Sequence, residues 1–172
     1  MELKYYKLDV SVDDPKFQTQ MAACFDLHAY IPHHEDIKVY SGKDAVNVSP
    51  LIDTSNNKNY ITLMPGERAL IPTGLIFDIP EGYSIRVHPR SGMVLKYGIT
   101  LANCEGVIDE DYTHETKIIM YNMNTMESIR IYDRDRIAQA ELVQYIQPKL
   151  SEIKDKPDQK SDRVGGFGST GK

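Results

Sequence analysis

Four short stretches hold the side chains best suited to chemistry. In HPRSGMVLKYG (88–98), Arg90 offers a planar fork of donors that matches phosphate oxygens. Ser91 adds a hydroxyl, and Gly92 lets a ligand approach the backbone. Taken alone, Pro-Arg-Ser-Gly is simply a turn. In GVIDEDY (106–112), Asp109 and Asp111 are two apart. An extended strand would point both the same way, roughly 7 Å apart, with room for a water or a metal between them. The bare spacing fits a solvated acidic turn at least as well. In RIAQAEL (136–142), Arg136 and Gln139 face opposite sides of a regular strand unless a bulge intervenes. The last stretch, DRVGGFGSTGK (162–172), combines glycine-rich backbone N–H groups with the donors Arg163, Ser169 and Thr170. Within it Phe167 gives a flat surface for stacking on a base.

Other reactive side chains are set aside. Cys24 and His28 have helical ligand spacing, but on a strand they lie roughly 13 Å apart and cannot share one ion. His33 and His34 sit in a polar, solvated segment, and Cys104 is expected to fill apolar space.

The elements that must position these groups read as short strands. ESIRIY (127–132) and SIRVH (84–88) alternate, while ALIPTGLIF (69–77), KIIMY (117–121) and AELVQYI (140–146) are short and apolar. PGE, PEG, NMNTME and YDRD separate them as turns. This pattern predicts an all-β sandwich or barrel. One turn or so of helix is expected in DPKFQTQMAA (14–23), with Asp14 as cap and Pro15 first. Residues 33–60 read as a polar surface excursion with enough Ile, Val and Tyr for an extra hairpin. Residues 148–162, charged and with two prolines, read as a mobile connector. The expected organisation is a barrel over 1–147 with an insertion near 33–60, then a linker and lid over 148–172.

The chain of 172 residues carries a formal net charge of -5 and two cysteines. That balance weighs against direct nucleic-acid binding, which needs a basic face. It leaves room for a local cationic pocket. Neither a disulfide framework nor a membrane span is indicated, and a soluble intracellular protein is expected.

Set in order, FDLHA (25–29), PRSG (89–92), N-x-x-G-x-IDEDY (103–112), RIAQ (136–139) and GGFGSTGK (165–172) resemble the five motifs of the trimeric deoxyuridine triphosphatases. PGERALIPTGL (65–75) is similar to that family's strand before the second motif. The resemblance implies a jelly-roll-type β-barrel and a homotrimer with active sites shared by all three chains. It implies hydrolysis of dUTP to dUMP and pyrophosphate with magnesium, which keeps uracil out of DNA and supplies the dTMP precursor.

Roles carry over motif by motif. Asp109 matches the general base that activates water for attack on the α-phosphorus. Asp26 matches the carboxylate that holds magnesium through water. Arg90, Ser91, Gly92, Arg136 and Gln139 match residues at the phosphate chain. Asn103, Gly106, Val107 and Ile108 match the uracil-reading hairpin, and Tyr112 the ring that packs on the deoxyribose. Phe167 would stack over uracil, while Arg163, Gly168, Ser169 and Thr170 would close on the γ-phosphate as a lid.

Three departures from the family pattern stand out. Cys24 replaces the usual glycine of the first motif. His114 replaces glycine in YTHE, at a cost of roughly 1 kcal/mol or more if φ must be positive there. Arg163 lies four residues before Phe167 where five is usual. The resemblance also leaves alternatives. One is dCTP deaminase, alone or bifunctional, on the same fold. Another is a regulatory binding protein that meets a protein partner through 33–60. The Asp109–Tyr112 pair favours hydrolysis over deamination.

Overall fold

The computed structural model describes residues 1–162. Alternation is the main organising signal. In KIIMYN, Ile118 and Met120 point into the core while Lys117 and Ile119 point out. The strands are β1 (Lys4–Lys7), β2 (Phe25–His28), β3 (Ile37–Ser41), β4 (Asp44–Val48), β5 (Leu51–Asp53), β6 (Lys58–Leu63), β7 (Arg68–Pro72), β8 (Leu75–Asp78), β9 (Tyr83–His88), β10 (Ile99–Leu101), β11 (Gly106–Ile108), β12 (Lys117–Asn122), β13 (Ile129–Tyr132) and β14 (Arg136–Gln144). A single short helix, α1 (Ser91–Tyr97), interrupts them among the described residues.

Four antiparallel sheets share the core in a jelly-roll-type arrangement, with orders β10-β12-β7-β3-β4, β11-β9-β14-β2, β13-β6-β5 and β1-β8. Leu27, Ile61, Leu63, Ile71, Ile85 and Met120 are among the fully buried side chains at its centre. Each contributes about 1.5–3 kcal/mol by leaving water. The second of these sheets is the one that matters for the site. It sets β11, β9, β14 and β2 side by side, and so collects residues from four distant motifs.

Several local expectations change. Residues 14–23 form no helix. Asp14 accepts hydrogen bonds from the Tyr5 hydroxyl (3.0 Å) and the Lys7 ammonium (3.2 Å) instead of capping. Lys16 bridges to Asp26, whose N–H donates to the Lys16 carbonyl at 2.9 Å. The helix falls instead on the Pro-Arg-Ser-Gly stretch, read from sequence as a turn. Arg90 is its N-cap, and Gly98 ends it at φ +61. The Gly98 N–H donates to the Val94 carbonyl at 3.1 Å. A Cβ at Gly98 would stand 2.6 Å from Asn124 Oδ1, so glycine suits this stop twice over.

The 33–60 segment is more than a surface excursion. It supplies the expected hairpin, β3–β4, but β3 also pairs with β7, and Ile37 and Val39 are buried in the main core. On β14 the register with β2 shifts between Arg136 and Ala138. Ile137 and Ala138 both point inward as a result. The irregularity puts Arg136 and Gln139 on one outer face, which regular alternation would forbid. Past β14, residues 148–162 form neither strand nor helix.

Candidate active site

The first group of predicted residues gathers around Asp26 on β2. Asp26 is only 6% exposed, and its two oxygens meet two guanidinium groups. Arg90 Nε lies 3.2 Å from Oδ1, and Arg136 Nη1 lies 3.2 Å from Oδ2. A buried carboxylate needs such partners to remain ionised at tolerable cost. Arg90 Nη1 also donates to the Arg136 carbonyl at 2.6 Å. Gln139, opposite Asp26 in the ladder, donates through Nε2 to the Pro89 carbonyl at 3.0 Å. These bonds fix the Pro89–Arg90–Ser91 corner, so Ser91 and Gly92 emerge at the start of α1. Beyond the corner a cavity of ≈ 530 Å³ opens between α1 and β13. Arg90, Lys96, Arg130 and Arg136 line it, with Asp135 as their one acidic companion. Burial pushes the Asp135 carboxyl above its ordinary value. The cavity is cationic and suits an anion.

The second group lies on β11 and the connection from β10, which joins two different sheets. That connection turns at Cys104, exposed and at φ +61, so this cysteine is a turn residue and not an apolar filler. Gly106 opposes Val87 in the ladder, and a Cβ there would come 3.1 Å from Val87 Cβ. A cavity of ≈ 240 Å³ lies beside this connection. Val87, Leu101, Ile108 and Ile119 give it apolar walls, and Asn103, Gly106, Val107 and Tyr112 complete its lining. The carboxylate lining it is Asp109.

Asp109 and Asp111 do not share a strand face as extended geometry would have it. The chain turns after Ile108, and the Tyr112 N–H donates to the Asp109 carbonyl at 3.1 Å. Asp109 lines the cavity and Asp111 does not. Tyr112 is held at both ends: its hydroxyl donates to the Glu115 carbonyl at 3.0 Å, and its ring meets the His114 ring edge-on at 5.7 Å. His114 is not strained. The non-glycine residues with positive φ among those described are Asn57, Cys104 and Arg134. The YTHE corner therefore takes a turn that needs no glycine.

The two groups line separate cavities. No residue lines both the apolar cavity and the cationic one. Arg163, Phe167, Gly168, Ser169 and Thr170 lie outside the described residues. No three His, Cys, Asp or Glu side chains gather to hold a metal directly among the described residues. Each Asp26 oxygen already receives an arginine and retains a lone pair for one further contact. Sequence reasoning passed over Lys117 and Ile119 in the apolar cavity and Lys96 and Arg130 in the cationic one. The outward positions of KIIMY were a readable signal for the first pair, and the alternation of ESIRIY marked Arg130 likewise; nothing comparable marked Lys96.

Comparison with known proteins bears on the same segments. The dUTPase family model matches residues 53–171. The deoxyuridine 5'-triphosphate nucleotidohydrolase of Nautilia profundicola is 37% identical over 172 residues, covering 100% of both chains. Its counterpart in Brucella melitensis is 47% identical over 111 residues, 64% of this chain and 69% of the relative. Among solved structures, the dUTPase of Staphylococcus bacteriophage 80alpha with dUPNHPP superposes with a TM-score of 0.74 at 21% identity, covering 99% of this chain and 98% of that one. The dUTPase of Streptococcus mutans gives 0.62 at 20%, over 85% and 98%. At such identities the two structures speak for the fold alone.

Proposed function

The chain belongs to the dUTPase family, and on that footing we propose that it hydrolyses dUTP to dUMP and pyrophosphate, limiting uracil in DNA and supplying the dTMP precursor. One observation carries the reading: a nucleoside-sized cavity with apolar walls has a carboxylate, Asp109, on its lining. Asn103 and the main chain of Gly106, Val107 and Ile108 pair with the base edge. Cytosine reverses two of the positions they read, which leaves buried groups unpaired and gives discrimination of ~10⁴ or more. The Tyr112 ring, fixed by Glu115 and His114, packs on the deoxyribose and leaves no room for a 2'-hydroxyl.

Asp109 accepts a proton from the attacking water. The water oxygen bonds to the α-phosphorus, the bond from that phosphorus to the bridging oxygen breaks, and pyrophosphate leaves. Arg90, Ser91, Gly92, Arg136 and Gln139 bind and align the phosphate chain. Asp26 keeps the two arginines in place and would hold magnesium through water. When bound to the triphosphate, magnesium offsets charge developing on the leaving group. Arg163, Phe167, Gly168, Ser169 and Thr170 would close over the substrate and exclude water.

The apolar and cationic cavities share no lining residue, which supports a working site shared between copies in a closed ring of three. Purified protein with magnesium, offered dUTP, UTP, dCTP and dTTP in turn, should release pyrophosphate from dUTP with strong preference. Ammonia release from dCTP, or inertness toward all four, would overturn the reading.

A further inference from the structure

The apolar cavity contains one charge that the reaction above does not use. Its charged lining residues are Asp109 and Lys117. Uracil and deoxyribose are neutral, so neither calls for an ammonium. The only complementary charge a nucleotide brings is its phosphate on C5'. Asp109 must be ionised to take a proton, and an ionised carboxylate repels that same phosphate. We propose that Lys117 supplies the compensating charge that admits the phosphate beside Asp109, making it a binding residue for the nucleotide as opposed to the nucleoside.

Local structure aims the side chain. Lys117 opens β12, and alternation turns it outward with Ile119 while Ile118 and Met120 fill the core. Its Nζ lies 3.2 Å from Glu115 Oε2. The other Glu115 oxygen accepts the Gly74 N–H at 2.9 Å, which ties the carboxylate to the turn between β7 and β8. Glu115 is therefore a fixed post, and the amine swings about it. The Lys117 side chain is 43% exposed, so it can shift toward an incoming phosphate without leaving a buried gap. With its lysine end in solvent, the pair is screened and can be exchanged for a phosphate contact.

The inference rests on the proposed nucleotide site, and its test separates the two. Binding of deoxyuridine, dUMP and the imido-triphosphate dUPNHPP is measured by NMR-detected titration for the full chain, Lys117→Met and Lys117→Arg. The trimer mass and melting temperature of each variant serve as fold controls. Lys117→Met should weaken dUMP and dUPNHPP by about 3–10-fold, the range for one partly screened charge contact, and move deoxyuridine less than about twofold. Lys117→Arg should restore phosphate-dependent binding, and raising salt should shrink the loss. Equal weakening of deoxyuridine and dUMP, or no change in either, would show that Lys117 only shapes the cavity and overturn the inference. If the unaltered chain binds none of the three, the nucleotide-site reading fails first and takes the inference with it.

Discussion

Asp109 and Asp26 are carboxylates on the same molecule with opposite surroundings. Asp26 is buried between two arginines, so its charge is spent on holding them. Asp109 sits exposed at a turn, without the pair of arginines that flanks Asp26. Replacing Asp109 by Asn should lower turnover by ~10²–10⁴ while nucleotide binding survives. Single-turnover rates alongside titration with dUPNHPP will separate the two, and a fully active Asn variant would place the base elsewhere. Asp135 allows a pH prediction. Burial raises its folded pKa above the unfolded value. Its contribution is then most favourable below the ordinary carboxylate value near 3.9 and is lost as pH rises through the folded value. Asp135→Asn can still accept the Tyr132 N–H now bound at 3.0 Å, but stays neutral. Its melting temperature relative to the parent should therefore be higher at pH 7 than at pH 4; an equal difference at both would contradict this. Residue identities such as Asp109 and Arg136 were legible in the sequence. Their facing was not, because the turn after Ile108 and the shift at Ile137 depend on packing that no spacing rule contains.

At the scale of elements, strands were legible wherever alternation ran long enough. KIIMYN shows it at every position, and ESIRIY nearly so. The helix was not legible, because none of the residues of α1 is buried and so no apolar stripe marks it. The β3 strand was hidden for a related reason. Only Ile37 and Val39 face inward, set within charged and hydroxyl-bearing neighbours. That pairing changes what deletion should do. Excision of 33–60 in favour of a short loop removes two core side chains and the β3 partner of β7, so the shortened chain should melt well below the parent. Loss of two fully buried aliphatic side chains alone is about 3–6 kcal/mol. A variant with the parent's melting temperature would return the segment to the status of a surface insertion. The exposed Val46, Leu51 and Ile52 on β4 and β5 can be altered separately, without touching the core.

For the whole molecule, one chain holds two incomplete halves. One half has the apolar cavity and Asp109; the β2–β14 half has Asp26, Arg90, Arg136 and Gln139. The motif order in the sequence revealed both halves but could not reveal that they line different cavities, since that follows from how four sheets close around one core. A site assembled from several copies is the reading this separation supports. The direct measurement is complementation between two variants, each disabled in one half: Asp109→Asn and Gln139→Ala, which alters an outward side chain and spares the core. Each alone should be nearly inactive. After the two are unfolded and refolded together, with mixed trimers verified by native mass spectrometry, pyrophosphate release from dUTP should recover to about a quarter of the parent's rate, the fraction of sites drawing both halves intact from different copies. Mixed trimers as inactive as the separate variants would contradict a site built across subunits.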